Sequence, residues 1–193
     1  MSRVCLTSLK GHSDFENVIN LSPTTKLKIP GLIVQTICKR IDTGLLINVP
    51  IGLDPIIIPG LDITITPKFL DSLLIFNLML NYEAGENVMF VMLKNNTLIT
   101  TPGYEGYNNI VGNIQWSGLS TSRYDRNVDT TPENNFIQYA TISETIEEQT
   151  YNLALKNSHT SAALFSLNYN ARNVAGNGQE TNISIITLME IAQ

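Results

Sequence analysis

Charge is scarce in this sequence. Charged side chains make up 15% of its 193 residues, against roughly 25% in an average soluble domain, so solvation has to come from neutral polar groups. Asn95-Asn96-Thr97, Thr130-Thr131 and Asn134-Asn135 supply them. The twelve Lys and Arg are outnumbered by seventeen Asp and Glu, for a formal net charge of -5, and stand singly apart from Lys39-Arg40. With no basic stripe to neutralise a phosphate backbone, a nucleic-acid partner is not expected.

Long apolar runs are also missing. No stretch approaches the roughly 20 apolar residues that cross a bilayer as a helix, and Met1-Ser2-Arg3 leads into mixed polar sequence rather than the apolar core of a signal peptide. The expectation is a chain without membrane insertion. Cysteine is limited to Cys5 and Cys38. Cys38 lies in an apolar strand-like run, so the pair is expected as two buried free thiols, in keeping with synthesis in a reducing cytoplasm.

The residue types that carry chemistry are equally thin. His12 and His159 are the only histidines, and neither has a Cys, Asp or Glu at metal-ligand spacing, so no metal site is expected. There is no G-x-S-x-G elbow and no Cys with a matching His signature, which leaves nucleophilic catalysis without support. Glu144, Glu147 and Glu148 could form a carboxylate pair for glycan hydrolysis; the simpler reading is a solvated turn between two strands. Gly176-Asn177-Gly178 sits in a polar loop with no helix after it, so it reads as a turn and not a phosphate cradle. No catalytic residue and no cofactor is therefore expected.

What is present is a succession of short apolar segments broken by Gly, Pro, Asn and Asp, the pattern of a sandwich or barrel. Leu32 to Arg40 reads as the first strand, started by Pro30-Gly31. Leu61, Ile63 and Ile65 alternate with Asp62, Thr64 and Thr66, which predicts a half-buried strand ending at Pro67. Ser72 to Tyr82 and Val88 to Lys94 flank the polar loop Glu83-Ala84-Gly85-Glu86-Asn87 and are predicted to pair as an antiparallel hairpin. Both runs are nearly continuous in apolar residues, so each needs cover on two faces, and a subunit interface would give the second. Further strands are expected around Ile110 to Trp116, at Phe136 to Ile142, Thr150 to Lys156, Ala163 to Tyr169 and Asn182 to Ile191. In all, about eight to ten antiparallel strands fit an all-β jelly-roll sandwich.

Residues Thr101 to Glu133 form the longest excursion between strands. Its Tyr104, Tyr107 and Tyr124 are candidates for surface contacts, because exposed aromatic rings offer large contact area at small entropic cost. Trp116 reads as a core or subunit-axis residue. Arg123 and Arg126 with Asp125 and Asp129 read as ion pairs between loops or subunits.

Three groups of residues carry a resemblance to a known family. Pro30 to Thr36 and Leu61 to Lys68 resemble two strands, Ser72 to Ile75 with Phe90 to Lys94 resembles a third element, and Phe165 to Asn170 with Ser184 to Ala192 resembles the ending of structural proteins of tailed phages and other aquatic viruses, of tail-fibre or decoration type. The order and spacing agree across most of residues 30 to 193, and the ending is the most specific part. Lys94-Asn95-Asn96 and Gln179-Glu180-Thr181 depart from the family pattern, in loops where ligand contacts would lie.

The resemblance implies a jelly-roll head of the tumour necrosis factor and complement type at residues 31–193, assembled as a homotrimer on the virion surface after synthesis in the host cytoplasm. Residues 1–30 would be an N-terminal arm that docks to the particle or a neighbouring subunit. The implied function is a non-enzymatic surface appendage, for capsid decoration or for host attachment through a surface glycan or protein. The alternative is a carbohydrate-binding or glycan-hydrolysing jelly-roll module, since the fold hosts many activities.

Overall fold

The computed structural model describes residues 28–99, 118–122, 132–157, 159–170 and 180–193. The described residues contain strands and turns and no helix. The first strand, β1 (Ile33–Ile41), begins after the turn at Pro30-Gly31, where Gly31 has a φ of 84° that a side chain would resist. It pairs antiparallel with the last, β11 (Ser184–Ile191). β11 pairs in turn with β4 (Leu73–Ala84). The other edge of β4 is taken by β8 (Glu133–Ile142), and its far end by β10 (Ala163–Leu167), which carries β2 (Leu45–Val49). These six strands are one sheet.

The second sheet has five strands among the described residues. β3 (Gly52–Ile65) pairs with β9 (Gln149–Asn157), β9 with β5 (Val88–Lys94), and β5 with the short β6 (Thr97–Leu98) and β7 (Ser120–Thr121). Every pairing is antiparallel. The chain passes from sheet to sheet as it runs from β3 to β4 to β5, and again from β7 to β8 to β9, with the first and last strands side by side. That is a jelly-roll sandwich.

The hairpin expected between Ser72–Tyr82 and Val88–Lys94 does not form. β4 already has β8 on one edge and β11 with β10 on the other, while β5 lies between β9 and the β6 and β7 pieces, so neither has an edge to offer. The Gly85-Glu86-Asn87 link crosses between the sheets instead. β4 sends Leu74, Phe76, Leu78, Leu80 and Tyr82 into the core at alternate positions, and β5 meets them from the opposite layer with Val88, Phe90 and Met92. Tyr82 and Phe90 touch edge to face at 5.2 Å, Tyr82 stacks on Phe165 at 5.4 Å, and Phe76 lies 4.7 Å from Tyr151.

Leu61, Ile63 and Ile65 are buried and Thr64 is exposed, as their alternation predicts. β3 nonetheless starts nine residues earlier than that alternation. Its first part holds Pro55 and Pro59, which cannot donate to a ladder, and its pairing with β9 is irregular between Gly52 and Ile56 and again between Ile57 and Asp62. Gly60, with a φ of 82°, absorbs the second irregularity. β2 leaves little mark in the sequence: five residues with charged and proline neighbours give little period to read.

Cys38 corrects another expectation. It is exposed, not buried, because it stands opposite Thr187 on the outward face of β1, and the run around it turns its apolar residues both ways. Cys5, the arm at residues 1–30 except its last three residues, the strand expected around Ile110 to Trp116, and the Arg123–Asp129 ion pairs lie outside the described residues.

Candidate functional site

The two sheets have very different outer faces. On the five-stranded sheet, Met89, Val91 and Leu93 of β5 point away from the core and are still buried. They form a second, small apolar cluster with Ala154, against which Leu98 packs. Gly118 lies so close to Met89 and the Phe90 carbonyl that a Cβ there would meet them at 2.5 Å. The continuous apolar run of β5 therefore has its second cover from its own chain, not from a subunit interface.

The six-stranded sheet is different. Strand pairing sets the outward residues of β1, β11, β4 and β8 in rows across the sheet. One row is Ile191, Leu73 and Ile142, with exposed Ile33 at its end. The next is Thr36, Met189, Ile75 and Ala140. Then follow Cys38, Thr187, Asn77 and Gln138, and after them Arg40, Ile185, Met79 and Phe136. Phe136 is 63% exposed, Ile142 43% and Met79 37%, values that mark side chains standing in water and not in a core.

Apolar rows thus lie on either side of a polar one. In the polar row the Gln138 amide donates to Asn77 Oδ1 at 2.9 Å, and one step beyond the Phe136 row Asn134 donates to Asn81 Oδ1 at 3.3 Å. Among these outward positions Arg40 is the sole formal charge. Its guanidinium lies 3.7 Å from Asp42, at the end of β1.

The strands under this face are held in register by buried polar groups on its inner side. Glu190 of β11 has no accessible surface, and the described groups that meet its carboxylate are neutral donors. Its carboxylate accepts from the Ser72 hydroxyl at 2.7 Å, from the Lys68 and Phe69 N–H groups at 2.8 and 3.2 Å, and from the Gln35 amide. Desolvation pushes its pKa up, but the Ser72 hydroxyl, the Lys68 N–H, the Gln35 amide and the Phe69 N–H together hold it below the usual carboxylate range. One side chain so ties β1, β11 and the 68–72 turn together. Asn168, at a φ of 64°, donates to the Ile41 and Thr43 carbonyls and accepts from Ser184, which fixes the opposite end of β1 and β11. Lys39 reaches from β1 to Asp62 of β3 at 2.8 Å and links the two sheets.

The sequence candidates are dispersed. Tyr104, Tyr107 and Tyr124 lie outside the described residues, as does Trp116. Glu144, Glu147 and Glu148 occupy an exposed turn between β8 and β9, where Glu144 pairs with Lys94 at 2.5 Å. That bond holds the Glu144 carboxyl below its ordinary range.

One cluster was not legible in sequence. His159 Nε2 lies 3.4 Å from Glu86 and its Nδ1 2.8 Å from the Ser161 hydroxyl. The Ser161 N–H also donates to Nδ1, which makes that nitrogen the acceptor and directs the Nε2 proton at Glu86. Glu86 is distant in sequence, in the link between β4 and β5, so no local spacing could announce the contact. The arrangement latches the β9–β10 turn onto that link. Among the described residues no three His, Cys, Asp or Glu side chains gather as a metal site. Compared with known proteins, the chain matches no family model and no curated protein.

Proposed function

We propose that this chain is a non-enzymatic structural module that assembles with copies of itself, as the homotrimeric head of a virion surface appendage. The observation that carries the reading is the open apolar face of the six-stranded sheet. A lone subunit would keep Phe136, Ile142, Met79 and their neighbours in water, and an ordered apolar sheet face in a chain this poor in charge is a surface built to be covered. The resemblance of residues 30 to 193 to phage and aquatic-virus structural proteins supports the viral setting. The jelly-roll strand order supports a tumour necrosis factor-like head.

In this reading residues 1–30 dock the head to other virion proteins of capsid or tail, and the loops at the end of the sandwich face a host glycan or protein. The particle is its location and the host cytoplasm its place of synthesis. Light scattering tests the assembly and immunogold labelling tests the setting. A mass three times the 21.4 kDa of the chain, with label on capsid or tail, is the expected result. A chain that is monomeric at every concentration and absent from particles would overturn the proposal, and hydrolysis or binding of a glycan by that monomer would favour the carbohydrate-active alternative.

A further inference from the structure

We infer that the outer face of β1, β11, β4 and β8 is covered by further copies of this chain, each turning the same face toward a common axis. The inference rests on the self-assembly reading and deepens it by naming the surface.

Three properties of the face select an identical copy. The first is charge. A chain of net charge -5 brings carboxylates against carboxylates wherever two copies meet at random, but the outward positions of these four strands carry none. Arg40 sits at the margin. Like faces can therefore approach without repulsion, while a nucleic acid or an acidic protein finds one cation to hold it.

The second is the polar row. Gln138 spends one amide hydrogen on Asn77 Oδ1, leaving the Asn77 N–H groups and the Gln138 carbonyl to be satisfied when the surrounding apolar rows are dried. An amide is both donor and acceptor, so the same pair on another copy offers the complementary set. Around a threefold axis every copy turns the same face inward, so the amide row of one copy meets those of its neighbours. A lipid surface would leave these amides unpaired in hydrocarbon.

The third is size. Four strands about 4.8 Å apart and four side-chain rows about 6.8 Å apart project to roughly 500 Å². Corrugation and the flanking Ile183 add to this, which brings the face toward the roughly 800 Å² that each partner gives to a specific interface.

Cys38 lies in the polar row and reports on the cover directly. With Cys5 replaced by Ser, Cys38 is the only thiol, and its rate of alkylation by a maleimide can be followed against protein concentration. The expected result is alkylation of the assembled protein at least about tenfold slower than of the Phe136→Lys and Met79→Lys variants, with dilution restoring the faster rate. Equal rates in an assembled wild type and the variants would place the contact elsewhere and overturn this inference while leaving self-assembly intact. A slow rate that is independent of concentration would mean that the chain's own segments cover the face, and would also overturn it. A wild type that stays monomeric with a fast Cys38 would overturn both the inference and the reading beneath it.

Discussion

The outer faces of the two sheets solve the same problem in opposite ways. β5 is apolar on both sides, and the chain returns with Leu98 and Gly118 to shield Met89, Val91 and Leu93. β4 and β8 are apolar on both sides near Met79 and Phe136, and among the described residues nothing returns to shield them. Where a β-sandwich exposes two outer faces, apolar content alone does not say which is an interface. Only a face that its own chain leaves bare can be one, and among the described residues the bare face is that of the larger sheet.

Charge placed on each face should separate the two. Val91→Asp puts a carboxylate into the covered apolar cluster of Met89, Leu93 and Ala154, so a loss on the order of 4 kcal/mol is expected and the chain should unfold in urea at far lower concentration. Glu190→Gln strikes the support at one end of the six-stranded sheet, where β1, β11 and the 68–72 turn meet. The amide replaces one acceptor oxygen with a donor that faces other donors, at an expected cost of roughly 2–3 kcal/mol.

The pH dependence of that loss follows from its direction. The folded-state pKa of Glu190 is lowered, so its contribution is present above the ordinary carboxylate pKa and fades as pH falls through the folded-state value. Urea midpoints of wild type and Glu190→Gln should therefore differ at neutral pH and converge in acid.

Gly118→Ala is the third test, aimed at the cover itself. The new methyl collides with the Phe90 carbonyl and the Met89 side chain, and lifting the segment away should cost about 1–3 kcal/mol, read as a shift in Tm. Met79→Asp is the smallest in stability and the most telling in contrast. Its side chain already meets water, so the folded subunit should lose less than about 1 kcal/mol while its association is abolished on a sizing column. A Met79→Asp chain that unfolds as readily as Val91→Asp would erase the difference between the faces.

Much of this fold can be read before any coordinates. The alternation at Leu61, Ile63 and Ile65, the β-branched run of β1 and the closing Ser184–Ile191 strand all declare themselves, because period two on a half-buried strand is a local signal. Which strand pairs with which is not local. Ser72–Tyr82 and Val88–Lys94 look like a hairpin because they are adjacent and apolar, and they part because each finds both its edges taken by strands far away in sequence. What covers a strand's second face is no more local. Excess apolar surface is visible in β4 and β5 alike, but the shielding of β5 depends on residues that come back from beyond the strand. Glu190 reads as an ordinary polar position in Leu188-Met189-Glu190-Ile191, and only the convergence of Gln35, Lys68, Phe69 and Ser72 reveals a buried carboxylate. The tyrosine candidates depend on a segment that the described residues do not include.

Sedimentation equilibrium of the wild type beside Phe136→Lys tests the central claim most directly. The account predicts a wild type of several times 21.4 kDa that dissociates on dilution, and a Phe136→Lys variant of single-chain mass with an almost unchanged urea midpoint. A variant that keeps the wild-type mass, or a wild type that is a single chain at the highest concentration reached, would contradict it.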